Sequence, residues 1–244
     1  MRNVLVTGSA KRVGKCIQQH FAALGDRVWI HYNHSESAAQ ALVAELRADG
    51  VTAECIQANI SQRDEVNRMF EQIHSTSGPL DVLVNNVGLY LCGDLLEYPE
   101  ADFEQTIQTN LLGAYYCIQS ALTQMRSGAN IINIGYSGLS SLAAQPDSAA
   151  YVISKLGLLS LTKSYAVALG PKGIRCNMVS PGQLNNSVDL PEGFDQMAPL
   201  KRAGTPDDIA QLVTFLCSDK ASYITGQNID VAGGYMLELQ DHLP

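Results

Sequence analysis

The sequence is short of positive charge, paired cysteines and long apolar runs, and each shortage removes a class of function. Lys and Arg number 16 against 24 Asp and Glu, the net charge is -8, and no basic run reaches five residues. Nucleic acid or an anionic membrane surface needs a concentrated basic face. Neither partner is therefore expected, and a small molecule is. Six cysteines, Cys16, Cys55, Cys92, Cys117, Cys176 and Cys217, form no C-x-x-C pair. That favours reduced thiols over a disulfide framework and gives no expectation of a structural metal. No apolar stretch approaches the ~20 residues that span a bilayer, and the first strand begins at Asn3 with no room for a signal peptide. The expectation is a cytoplasmic protein without a membrane partner.

Apolar residues are abundant, 46% of 244, enough for one large core. They come in order. The short runs "NVLVT", "RVWIHY", "TAECIQA", "LDVLVNN", "NIINIG", "IRCNMVS" and "QNIDVAG" alternate with stretches of helical period. Val13, Ile17, Phe21 and Leu24 mark one helix face before Gly25, and Val66, Met69, Phe70 and Ile73 mark another. Runs that are apolar throughout are strands buried on both faces, which means a parallel sheet with right-handed helical crossovers. The predicted class is α/β: a three-layer, doubly wound Rossmann fold, with a seven-stranded parallel sheet and helices on both faces. No linker or repeat interrupts residues 1–244, so one domain is expected. Only 182–204 lacks clear periodicity, and its place and length suit a flap over a substrate.

The turn "TGSAKRVGK" follows the first strand. Gly8 and Gly14 there let backbone approach a pyrophosphate at a helix N-terminus. The second strand leads into "HYNHSES", with Asn33, His34 and Ser35 where a carboxylate for the adenosine ribose would stand. A carboxylate repels a 2′-phosphate, whereas Lys11, Arg12, His34 and Ser35 offer it donors. The electrostatics favour NADP(H) over NAD(H). Further along, Tyr151 and Lys155 stand four apart in a helical stretch and project from one face. An ammonium beside a phenol favours phenolate, so this tyrosine is expected to exchange a proton with an alcohol oxygen.

Together these motifs resemble the short-chain dehydrogenase/reductase family over the whole chain. "TGSAKRVG" matches its TGxxxGxG turn with Arg12 for the middle glycine, "NNVG" matches NNAG, and "RCNMVSPG" matches RxNxxxPG. "TNLLGAYY" supplies Asn110 and "SYITGQNIDVAGG" resembles the closing strand. Within the family the motifs are most similar to 3-oxoacyl-carrier-protein reductases and pteridine reductases, the latter also with an arginine at the middle-glycine position. The resemblance implies an NADP-dependent oxidoreductase acting on CH-OH or C=O groups, with Tyr151 as proton donor. It implies that Lys155 also binds the nicotinamide ribose and that Asn110 holds a water linking Lys155 to solvent. It extends the cofactor set to Gly8, Ser9, Lys11, Arg12, Val13 and Gly14, then Asn33, His34 and Ser35. Asn59 and Ile60 are added at the adenine, with Asn86, Val87 and Gly88 after the fourth strand and Pro181 and Gly182 by the nicotinamide. A homotetramer is implied as well.

One family feature is missing. The serine expected thirteen residues before the tyrosine falls on Gly138, while alignment on the strand end puts Tyr136 in the slot, with Ser137 beside it. Either hydroxyl can donate to a substrate oxygen. Pteridine reductases have an aspartate there, and this chain has none nearby before Asp147. Reduction of a 3-oxoacyl-type or similar carbonyl is therefore the expected activity, with pteridine-like C=N reduction, or a cofactor-binding protein of little turnover, as alternatives. Substrate shape is assigned to 89–95, 136–142 and the 182–204 flap.

Overall fold

The structure is a computed structural model that describes residues 1–141, 144–188, 190–235 and 237. Its centre is one seven-stranded sheet in the order β3-β2-β1-β4-β5-β6-β7, parallel at every pairing. The strands are β1 (Asn3–Val6), β2 (Arg27–Tyr32), β3 (Ala53–Gln57), β4 (Val82–Asn85), β5 (Asn130–Ile134), β6 (Arg175–Pro181) and β7 (Asn228–Val231). All seven runs read from the sequence are strands. The strand order reverses between β1 and β4, where an open α/β sheet leaves a crevice at its carboxyl ends.

Period-two alternation divides the strand side chains between two cores. Val4, Val6, Val28 and Ile30 pack under α1 (Arg12–Ala23), α2 (Glu36–Ala48) and α8 (Pro206–Leu216). On the other face Leu5, Trp29, Leu83 and Ile131 meet α3 (Arg63–Ser77), α5 (Gly113–Ala121) and α6 (Ala149–Leu169). α4 (Glu100–Ile107) runs into α5 through a π turn at Gln108–Leu112. The predicted face of α3 is fully buried. In α1, Ile17 and Phe21 are buried but Leu24 is 61% exposed. The helix has already ended there: Leu24 is its C-cap, and Gly25 takes φ +80 to turn the chain into β2.

Two expectations change. Pro146–Lys172, α6 with its flanking turns, is 27 residues long and apolar enough, by length and composition, to cross a bilayer. Its central part lies against β6 and α4, and Val152, Leu158, Leu159, Ala166 and Leu169 are buried. A helix packed on several sides is apolar on several sides, which explains the composition without a membrane. Segment 182–204 has structure of its own: Leu184 bridges Gly204, and the short α7 (Phe194–Met197) seats a buried Phe194. Its far end is tied down where Arg202 meets both carboxylate oxygens of Asp208, in the Thr205/Asp208 capping box that starts α8.

Candidate active site

The turn from β1 to α1 is held from the exit of β4 and from β2. Thr7 Oγ1 accepts from the Asn86 and Val87 amides at 2.9 and 3.2 Å, and Asn86 Nδ2 donates to the Thr7 carbonyl at 2.9 Å. These bonds join the exits of β1 and β4. From β2, the buried His31 reaches across: the Gly8 amide donates to its Nδ1 at 2.9 Å, and its Nε2 lies 3.0 Å from the Ala58 carbonyl. Burial holds the imidazole pKa down at about 4, so the ring is neutral at physiological pH. The glycines serve packing more than was expected. Gly8 has φ +65, and a Cβ there would lie 2.9 Å from Val87. A Cβ on Gly14 would lie 2.6 Å from the Gly8 carbonyl. Arg12 sits at φ +51, in the left-handed region that favours glycine, and its side chain is exposed.

The second cluster gathers where β5 meets α6. Lys155 is 2% exposed, and its Nζ donates to the Ile134 carbonyl at 2.7 Å and lies 5.6 Å from the Tyr151 ring centre. Burial lowers the ammonium pKa to about 8, which leaves it mostly charged at neutral pH. Gly88 borders the ammonium, where a Cβ would stand at an ordinary contact distance of 3.5 Å from Nζ. Asn110, in the π turn, accepts from the Leu89 amide at 2.7 Å and donates to the Leu89 carbonyl and to Ser154 Oγ. It thereby fixes the loop after β4 to α6. Two further tyrosines flank the Tyr151 ring: Tyr90 edge-on at 4.9 Å and Tyr136 tilted at 5.5 Å. Burial raises the Tyr136 phenol pKa, so this hydroxyl is a proton-bearing donor.

A single cleft of about 610 Å³ joins the two clusters. Gly8, Lys11, Arg12, Val13, Gly14, Asn86, Val87, Gly88, Tyr136, Ser137, Tyr151, Lys155, Pro181 and Gly182 all line it. The remaining sequence-assigned residues do not. Ser9 is buried, with its hydroxyl accepting from the His31 amide. Asn59 accepts from the Ser61 amide and hydroxyl, and Ile60 packs beneath Gly113. Asn33 receives Gln57, while His34 is exposed and Ser35 precedes α2. Asn110 lies behind the cleft rather than in its wall. Leu142, part of the substrate-shaping range, is outside the described residues.

The lining also includes Tyr90, Gln145, Gln183, Leu184, Ser187 and Tyr235. Tyr90, Gln183, Leu184 and Ser187 fall in the ranges assigned to substrate shape, whereas Gln145 and Tyr235 were not singled out in the sequence. His31 left a clue: it is a polar residue inside an otherwise apolar strand, and buried polar groups are hydrogen-bonded to something. It also stands three before His34, a spacing some metal sites use, but its two nitrogens face Gly8 and Ala58. Among the described residues one trio, Cys16, His20 and Asp207, brings ligand-type atoms within 4.8 Å. There both Asp207 oxygens already meet partners, His20 and Gln211.

Comparison with known proteins gives the family. The family model described as enoyl-(acyl carrier protein) reductase matches residues 8–236. The 3-oxoacyl-acyl-carrier-protein reductase FabG of Staphylococcus aureus is 41% identical over 242 residues, covering 96% of this chain and 97% of that protein. The L-rhamnose 1-dehydrogenase (NAD(P)(+)) of Azotobacter vinelandii is 36% identical, covering 98% of both. Among solved structures, a blue fluorescent protein from a metagenomic library in complex with NADPH superposes with a TM-score of 0.89 at 34% identity, over 96% of this chain and 97% of that one. These matches cover 96% to 98% of the chain. The chain belongs to the short-chain dehydrogenase/reductase family of NAD(P)-dependent oxidoreductases.

Proposed function

We propose that this protein is an NADPH-dependent reductase of a neutral carbonyl group, with Tyr151 as the proton donor. The carrying observation is the placement of Tyr151 and Lys155 in the same cleft as Lys11, Arg12 and the glycine turn. The donor set fits NADP(H). Gly8 and Gly14 keep the turn free of side chains, the cleft wall at this end carries two exposed cations, and none of the described residues lining the cleft is a carboxylate. Lys11 and Arg12 would meet the 2′-phosphate, and Gly88, Pro181 and Gly182 would border the nicotinamide. NADPH bound there supplies the hydride.

The chain's own residues do the rest. Tyr151 Oη gives its proton to the substrate oxygen as negative charge develops there. Lys155, charged and fixed by the Ile134 carbonyl, stabilises the resulting phenolate. Tyr136 takes the part of the usual serine and donates a hydrogen bond to the same oxygen, with Ser137 as the neighbouring candidate. The walls around this point, Tyr90, Tyr136, Ser137, Gln145, Gln183 and Ser187, are uncharged. They suit a substrate that is neutral near its reacting carbon, such as a 3-oxoacyl compound or a cyclic ketone. The kinship with 3-oxoacyl-acyl-carrier-protein reductases supports the first of these. Ile153 and Val167 on α6 are exposed apolar side chains, and we assign that face to self-association as a homotetramer.

The test is NADPH oxidation, followed by absorbance, against a panel of neutral ketones, 3-oxoacyl thioesters and pterins. Turnover of a ketone or thioester is expected, with NADPH preferred to NADH. NADPH binding without turnover of any compound would make the altered serine slot a mark of lost chemistry.

A further inference from the structure

The imidazole of His31 belongs to no step above, yet it is one of the largest polar groups buried in the sheet, 1% exposed. We propose that His31 is the positioning residue of the dinucleotide turn, holding Gly8 in its binding shape by bridging it to Ala58. The inference rests on the cofactor reading given above.

The geometry fixes the hydrogen positions. Nδ1 accepts from the Gly8 amide at 2.9 Å, so it carries no hydrogen. Nε2 must then bear the ring hydrogen and donate it to the Ala58 carbonyl at 3.0 Å. The main chain adds two more ties: the Ser9 amide donates to the His31 carbonyl at 3.0 Å, and the His31 amide donates to Ser9 Oγ at 3.1 Å. Gly8 needs this support. A glycine has the widest backbone freedom of any residue, and this one sits at φ +65 at the point where the chain leaves β1. Its amide is spent on the imidazole rather than on a ligand. His31 therefore acts on the shape of the turn, which NADPH and NADH share, and not on the 2′-phosphate that distinguishes them.

Two near-isosteric variants separate the two bonds. His31→Asn puts an amide oxygen where Nδ1 stands and keeps the Gly8 bond while losing Ala58. His31→Gln puts its amide nitrogen where Nε2 stands, keeping Ala58 and losing Gly8. The measurements are dissociation constants for NADPH and NADH by fluorescence titration, thermal midpoints of the apoprotein, and hydrogen exchange at the Gly8 amide. His31→Gln should weaken both cofactors by roughly three- to tenfold, with their ratio unchanged, as expected for one lost hydrogen bond. Gly8 exchange should accelerate in the same variant. His31→Asn should stay within about twofold of the parent in affinity, even though both variants lower the midpoint. Equal weakening by the two variants, or affinities that simply follow the midpoints, would overturn the role. Should the parent protein take up neither dinucleotide, the cofactor reading fails by itself, and Gly8 exchange in the two variants still decides whether His31 holds the turn.

Discussion

At the proposed phosphate end of the cleft the wall is the glycine turn with Lys11 and Arg12 and the exits of β1 and β4, stapled by Thr7, Asn86 and His31. At the reaction end it is mostly side chain, with Tyr90, Tyr136, Gln145, Gln183, Ser187 and Tyr235 carried by loops after β4, β5 and β6 and beyond β7. The first construction sits on strand ends that the whole sheet holds in register. The second depends on loops that can change without disturbing the sheet. One scaffold can thus keep its dinucleotide while its substrate drifts, which agrees with a 3-oxoacyl reductase and a sugar dehydrogenase both standing near this chain. Lys155 belongs to both ends, since its buried ammonium is anchored on the Ile134 carbonyl of the sheet and faces the Tyr151 ring.

If the division is sound, changes at the reaction end should reduce rate and spare cofactor affinity. Tyr151→Phe should have the largest effect, a fall in turnover on the order of 10²- to 10⁴-fold from loss of the proton donor, with NADPH affinity close to the parent value by titration. Unaltered turnover would remove Tyr151 from the chemistry. Tyr136→Phe comes next, with a loss of roughly a hundredfold in kcat for one missing polarising hydrogen bond, while Ser137→Ala changes little. The reverse order in single-turnover measurements would hand the role to Ser137.

The same contrast explains what the sequence could reveal. The seven strands were legible because a strand buried on both sides must be apolar along its whole length, and the buried face of α3 because its apolar residues recur at helical period. Gly8, Gly14, Tyr151 and Lys155 were legible because turn and helix fix their spacing within a few residues. Ser9, put in the cofactor set by the family resemblance, is buried, and its hydroxyl accepts from the His31 amide inside the protein. Leu24 followed the helical period one residue past the helix. Gln145 and Tyr235 join one cleft only through tertiary structure, 90 residues apart in the chain, and no local pattern encodes such a meeting.

Arg12 gives the smaller and more exacting tests, because there backbone and side chain pull in different directions. Arg12→Ala should weaken NADPH by about 1.5 to 3 kcal/mol if the guanidinium meets the 2′-phosphate, and leave NADH nearly unchanged by titration. An equal loss for both would make Arg12 part of the turn's shape, alongside His31. Arg12→Gly should lose the same discrimination yet gain stability. A residue with a Cβ at φ +51 carries a steric cost of about 1 to 2 kcal/mol that glycine does not, and glycine's larger unfolded-state entropy returns roughly 0.5 to 1 kcal/mol of that. The net is about 0.5 to 1 kcal/mol, a rise of ~2 to 4 °C in the apoprotein midpoint per kcal/mol for a chain of this size. A midpoint that stays level between Ala and Gly would mean that the turn relaxes around Arg12. A higher midpoint in Gly, with NADPH preference gone in both, would mean that the charge is held at this position against the backbone's own preference, as strained residues at functional sites are.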